Sequence, residues 1–283
     1  MTQRLPQWLK KGIIDTEKTK FVRRVLRNHS LNTVCDSARC PNKSECYAKN
    51  TATFMILGKI CTRNCRFCNI ESGNSETVNE NEPQKVAKAV KELGLTYAVI
   101  TSVTRDDLPD GGAGHFAKTI QEIKQLLPET KIEVLTPDFQ GNKDAIDAVI
   151  HAKPDVFNHN IETVKRLYPI ARPQANYYRS LEFLNCIKEH SPDTYTKSGF
   201  MVGLGESYDE IIELLADLKN NNCDIVTIGQ YIQPTKKHLN VAKYYSPDEF
   251  VKLHELALKI GIKNPVSSPL TRSSYKASEI LSI

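Results

Sequence analysis

From position 51 onward the sequence alternates short apolar, β-rich runs with longer amphipathic stretches, and this alternation limits the fold more than any other feature. Residues 53–57, 97–102, 131–135, 156–160, 197–203 and 225–231 read as strands. Residues 83–93, 115–127, 143–152, 180–190, 208–220 and 247–260 read as helices. The 83–93 stretch is the clearest, with Val86, Ala89, Val90 and Leu93 on one helical face and lysines on the other. Strand followed by helix, repeated, demands crossover connections and therefore parallel strands. Six such units are too few for a closed eightfold barrel. The expectation is an α/β fold, an open partial (β/α)6 TIM-type barrel, with a six-stranded doubly wound sheet as the alternative. Either architecture gathers the loops after the strand ends around one site.

A chain of 283 residues can bury one substantial core. Its organisation reads as a polar N-terminal extension over 1–50 with a short helix at 18–27, a barrel over 51–260, and a C-terminal extension over 261–283. The formal charge of +5 is spread among acidic residues rather than gathered in a block. That balance favours acidic small molecules or an acidic protein partner, and gives no sign of nucleic acid. The N-terminus has no apolar signal core, and no window approaches the apolar length needed to span a bilayer. The expected location is the cytoplasm, with no membrane partner.

Six of the eight cysteines lie between positions 35 and 68. In a reducing compartment such crowding points to metal or cluster ligation rather than disulfides. Cys61, Cys65 and Cys68, in "KICTRNCRFC", follow the first predicted strand with C-x3-C-x2-C spacing. Three thiolates can hold three corners of a four-iron cubane and leave the fourth iron for an external ligand. Zinc is the alternative, but its usual signature is two separated C-x2-C pairs or a Cys/His mixture. A second trio, Cys35, Cys40 and Cys46 in "VCDSARCPNKSEC", precedes the first strand.

The first trio, including Phe67 before its last cysteine, resembles the signature of the radical S-adenosylmethionine superfamily. The second trio, together with "TSVTRDDLPDGGAGHF", "VFNHNIETV", "ARPQANYYRSL", "GFMVGLGES", "TIGQYIQPTKKHL" and "RSSY", makes the chain resemble the lipoyl synthase family from about Val34 to Tyr275. This resemblance implies a sulfurtransferase using two 4Fe-4S clusters and S-adenosyl-L-methionine. One cluster would be held by Cys61, Cys65 and Cys68 and would cleave the cofactor to a 5′-deoxyadenosyl radical. The other, on Cys35, Cys40 and Cys46, would supply the sulfur inserted at C6 and C8 of an octanoyl chain.

By the same resemblance Ser274 is the fourth ligand of the auxiliary cluster, with Ser273 as the alternative, so Ser274 joins the three radical-motif cysteines as a catalytic candidate. Gly111 and Gly112, after the second strand, match the loop that holds the cofactor's amino group. Asn158, Glu162 and Arg172 are further cofactor contacts on this reading, while His159 reads as a hydrogen-bonded core histidine. The implied partners are octanoylated lipoyl-carrier domains (H protein or the E2 subunits of 2-oxoacid dehydrogenases), an electron donor such as flavodoxin or ferredoxin, and iron–sulfur cluster assembly proteins. Two other readings stay open at this point, a different radical enzyme and a non-enzymatic iron–sulfur protein.

Overall fold

In the computed structural model, which describes residues 4–280, all six expected strand–helix units occur in the expected order. After an N-terminal helix α1 (Glu17–Asn28), strands β1 (Thr53–Ile56), β2 (Tyr97–Ser102), β3 (Lys131–Leu135), β4 (Val156–Asn158), β5 (Tyr195–Val202) and β6 (Ile225–Gln230) pair in sequence order, all parallel. Each leads to a helix, respectively α2 (Glu82–Leu93), α3 (Ala113–Leu126), α4 (Lys143–His151), α5 (Tyr177–His190), α6 (Tyr208–Asn220) and α7 (Pro247–Ile260). A seventh strand, β7 (Asn264–Ser267), adds to the edge of β6, and the two-residue strand Asn32–Thr33 runs antiparallel along β1 at the other edge. The strand order is linear from one edge to the other, which is the open barrel rather than the doubly wound alternative.

Local chemistry accounts for the helix ends. Pro83 occupies the first turn of α2, and Gly94, at φ 66°, takes the left-handed position beyond its last turn. Capping boxes start α6 at Ser207 with Glu210, and α7 at Ser246 with Glu249. Among the described residues two large apolar cores result, one over β1–β3 and α2–α4, the other over β5, β6, α6 and α7, with Val156 and Ile225 forming a small third. Helix α5 joins them, giving Phe183 and Ile187 to the first and Leu181 and Leu184 to the second. Among the described residues no helix is long and apolar enough to cross a membrane.

Inside the barrel the two-residue period of the strands stacks side chains in layers. One layer is polar and sealed. Lys197 of β5 donates to Glu133 of β3 at 2.8 and 2.9 Å, and Asn158 of β4 and Tyr97 of β2 donate to the same carboxylate at 3.2 and 2.8 Å. Leu135, Asn160 and Gly199, each two residues further along, lie one layer higher and line a cavity.

Candidate active site

The segment carrying Cys61, Cys65 and Cys68 leaves β1 through a tight bend. Leu57 and Gly58 have φ of 68° and 97°, and a Cβ on Gly58 would stand 2.7 Å from Glu76 Oε2. Leucine is uncommon in that region, and its N–H is held there by Glu82 Oε2 at 2.8 Å. The loop then pins itself to its surroundings. Thr62 N–H and Oγ1 both donate to Thr104 O at 3.0 Å, and Arg66 N–H donates to Ala171 O at 2.9 Å. Arg63, between the first two cysteines, forks onto Asp106 at 2.7 and 2.9 Å and reaches Asp138 at 2.6 Å. Arg179 completes the chain of charges on Asp138 at 2.7 Å. These partners lie on the loops after β2 and β3 and on α5, so the arginine ties the cysteine loop to three separate elements.

The thiols fit an iron–sulfur group. All eight cysteines are free. Cys61 Sγ accepts N–H bonds from Arg63 and Thr104 at 3.4 and 3.3 Å, and Cys68 Sγ accepts one from Ile70 at 3.5 Å. Such donors stabilise charge on a ligating sulfur and tune its metal. Burial pushes the Cys35 and Cys68 thiols up to about 12 and Cys46 up to about 11, and raises Cys65. Neutral thiols are therefore the stable form of the metal-free chain, and ligation must displace their protons. No three His, Cys, Asp or Glu side chains among the described residues converge closely enough to hold one ion. A cubane presents separate iron corners and accepts thiolates that stand further apart.

The two trios share one site. Asn69, next to Cys68, donates to Ser37 O in the other cysteine segment at 2.8 Å. Cys35, Cys40 and Cys68 line the same cavity of about 450 Å³, together with Glu162, Arg272, Ser273 and Ser274. The tail is fastened to the N-terminal trio at two points, Asn42 Nδ2 donating to Leu270 O at 2.7 Å and Tyr275 Oη to Glu45 Oε1 at 2.8 Å. Ser273 Oγ donates to Asn160 Oδ1 at 2.8 Å. Ser274, by contrast, has no hydrogen-bond partner for its hydroxyl among the described residues. Close approach here requires glycine at 199, where a Cβ would meet Thr227 Oγ1 at 2.4 Å and both Asn160 Oδ1 and Ser273 Oγ at 3.0 Å.

Glu162 lines the cavity, while Arg172 is not part of its lining and meets it only through the lining residue Asn160. Glu162 holds φ 67° through backbone bonds to Gly199 and Met201 at 2.9 Å, and its enclosed carboxyl is raised by burial. Arg172 is buried, donates to Asn160 O and Tyr168 Oη at 3.0 Å, and leaves its Nε without a partner. Asn158 lies one layer below the cavity, committed to Glu133. Gly111 and Gly112 pack toward Phe139 and Leu57, with Asp110 holding the N–H groups of Gly112 and Gly114 at 2.8 Å, and neither glycine lines the cavity. It is Thr104 and Asp106, just after β2, that bond the cysteine loop. His159 is a core histidine, its Nδ1–H donating to Thr136 O at 2.9 Å and its Nε2 facing Ser180 Oγ at 3.0 Å. Arg63, Asp106 and Asp138 were not singled out from the sequence, although Arg63 sits inside the cysteine motif.

The model of the radical SAM superfamily matches residues 55–218. The chain is 55% identical to the lipoyl synthase of Caldanaerobacter subterraneus subsp. tengcongensis over 100% of this chain and 99% of that one. It is 53% identical to the lipoyl synthase of Alkaliphilus metalliredigens, over 99% and 96% of the two chains. Among solved structures it is similar to methylornithine synthase, with a TM-score of 0.57 at 14% identity, covering 89% of this chain and 75% of that one. It is also similar to Streptococcus suis SuiB bound to S-adenosylmethionine, with a TM-score of 0.58 at 16% identity over 77% and 51%. These distant likenesses support the barrel alone. With identity above one half along its whole length and the motif order intact, the chain belongs to the lipoyl synthase family of the radical SAM superfamily.

Proposed function

We propose that this chain inserts two sulfur atoms, at C6 and C8, into an octanoyl chain amide-linked to a lysine of a lipoyl-carrier protein. The observation that carries this reading is a single cavity reached by cysteines of both trios and by the serines of the tail. When bound, two 4Fe-4S clusters and S-adenosyl-L-methionine supply the 5′-deoxyadenosyl radical and the sulfur. Cys61, Cys65 and Cys68 would hold the first cluster, leaving one iron for the cofactor, and Cys35, Cys40, Cys46 and Ser274 would hold the second.

The chain's own contribution is position and exclusion of water. A hydrogen abstraction needs the target carbon held against the radical source, and an open site would quench the radical. Arg63 fixes the first cysteine loop, while the Asn160 to Ser273 bond fixes the tail beside the second. Glu162, Arg172 and Arg272 offer charge to the amino and carboxylate groups of the cofactor, with Gly111 and Gly112 shaping the loop after β2. We assign residues 1–50 and 261–283 to the sulfur-donor site and 51–260 to the radical barrel, a division supported by the bonds between the two extensions.

Octanoylated H protein or E2 domains are the proposed substrates. A flavodoxin or ferredoxin would supply electrons, and cluster assembly proteins would rebuild the donor. The eight free cysteines suit the reducing cytoplasm. The test is incubation of the reconstituted enzyme with reductant, S-adenosyl-L-methionine and an octanoyl-lysine peptide, read by mass spectrometry. Gain of two sulfurs supports the reading, and cofactor cleavage without sulfur gain removes it.

A further inference from the structure

Residues 4–16 do more than lead into α1. The short turn Gln7–Leu9 turns Leu9 inward to 2% exposure while Trp8 stays 44% exposed. Leu9 is buried yet is part of none of the apolar cores. It lines the cavity, a lining it shares with Leu5, Cys35 and Cys40. The segment is fastened on both sides of Leu9. Trp8 Nε1 donates to Tyr245 O at 3.2 Å, and the Lys11 ammonium bonds the Glu45 carboxylate, reaches Tyr275 Oη at 3.3 Å and sits 4.9 Å above the Tyr275 ring. Glu45 is the neighbour of Cys46, and Tyr275 the neighbour of Ser274. A strap held at these points places an aliphatic wall against the sulfur-donor trio.

We propose that Leu9, backed by Leu5, forms the end wall of the acyl-chain chamber and sets the chain length this enzyme accepts. This rests on the sulfur-insertion reading. The sulfurs enter at C6 and C8, and C8 is the terminal carbon of an octanoyl chain. Both carbons must lie beside the donor trio, while the amide end leads out to the carrier protein. The terminal methyl therefore lies on the donor-trio side of the cavity, whose apolar lining includes Leu5, Leu9 and Val34, and the bonds of Lys11 to Glu45 and Tyr275 hold the strap on that side. Apolar walls discriminate by about tenfold or more per methylene, which is enough to reject a longer chain. Leu9 takes no part in the chemistry at C8 in this account and only limits how far the chain can extend; it is a specificity-determining residue.

The experiment compares hexanoyl-, octanoyl- and decanoyl-lysine peptides with the wild-type holoenzyme and with Leu9→Ala and Leu5→Ala. Binding is read by calorimetry without reductant, and kcat/KM by deoxyadenosine release with sulfur gain. Removing the wall should raise the decanoyl-to-octanoyl ratio about tenfold in both readouts for Leu9→Ala, and by a smaller factor for the half-buried Leu5. A merely structural role would lower all three chains together, and an unchanged ratio in both variants would overturn the proposal. If the wild type instead gains no sulfur on any chain, the functional reading itself fails and takes this proposal with it.

Discussion

Replacing Arg63 by alanine should cost this chain about 3 kcal/mol of stability and loosen its radical-cluster loop. The magnitude follows from what is left behind. Arg63 and Asp138 have side-chain exposures of 4% and 0%, and Asp106 one of 24%. Breaking a buried pair by removing one partner costs about 3–5 kcal/mol, because the other charge stays buried. Asp138 keeps Arg179 and the Gln140 N–H, and Asp106 can rehydrate, so the lower end applies. Arg63→Lys keeps the charge but not the fork, and should recover only part of the loss. Urea unfolding followed by circular dichroism gives the stability, and iron per chain after reconstitution reports the loop. Burial opposes ionisation of Asp138, but its bonds and charges from Arg63 and Arg179 hold its carboxyl well below the usual carboxylate range. A depressed folded pKa contributes stability that is complete above the unfolded value, about 3.9, and disappears as pH falls below it. Without Arg63 the folded value rises toward the unfolded one, so this acid loss should be smaller and complete at higher pH. A cost below about 1 kcal/mol with normal iron loading would refute the anchoring role assigned to Arg63.

Ser274→Ala should keep deoxyadenosine formation while sulfur gain falls by about tenfold or more; full sulfur insertion would move the ligand role to Ser273 or elsewhere. Burial, with the Arg172 charge behind it, pushes His159 down to about 4. The folded state thus binds fewer protons than the unfolded one between pH 6.5 and 4, and stability should fall by roughly 3 kcal/mol as pH drops through that window. Urea midpoints of His159→Gln should lack this slope, and an identical slope would assign it to other groups. Lys197→Met strands Glu133 in the barrel and should cost about 3–5 kcal/mol, whereas Lys197→Met with Glu133→Gln should recover most of it. A double variant no better than the single would mean that packing, not charge, sets the cost.

What could be read in the sequence was what repeats locally. Strand β2 and helices α6 and α7 fall at their expected bounds, because apolar period and capping residues lie next to one another in the chain. The cysteine spacing is equally local. Strand β7 was not legible: four residues with Pro265 at the second position carry no strand pattern of their own, and they are extended because β6 offers an unpaired edge. Proline is tolerated there because an edge strand need not donate on both sides. Arg63, Asp138 and Arg179 come from three distant parts of the chain, and no spacing rule joins them. Asn158 shows the complementary limit. Family resemblance makes this residue at the end of its strand a cofactor contact, but the strand period turns it toward Glu133, one layer beneath the cavity. The strap at 4–16 reads only as a polar leader, since its single inward leucine makes no pattern.

On the proposed function, the inserted sulfur is given up by a cluster held on Cys35, Cys40, Cys46 and Ser274. The most direct measurement is one turnover with an octanoyl-lysine peptide, using enzyme whose clusters were rebuilt with heavy-isotope sulfide in a medium of ordinary sulfide. The product should carry two heavy sulfur atoms, and the Cys35→Ala variant should yield no such product even though it still cleaves S-adenosyl-L-methionine. Product carrying only ordinary sulfur, or normal product from that variant, would contradict this reading.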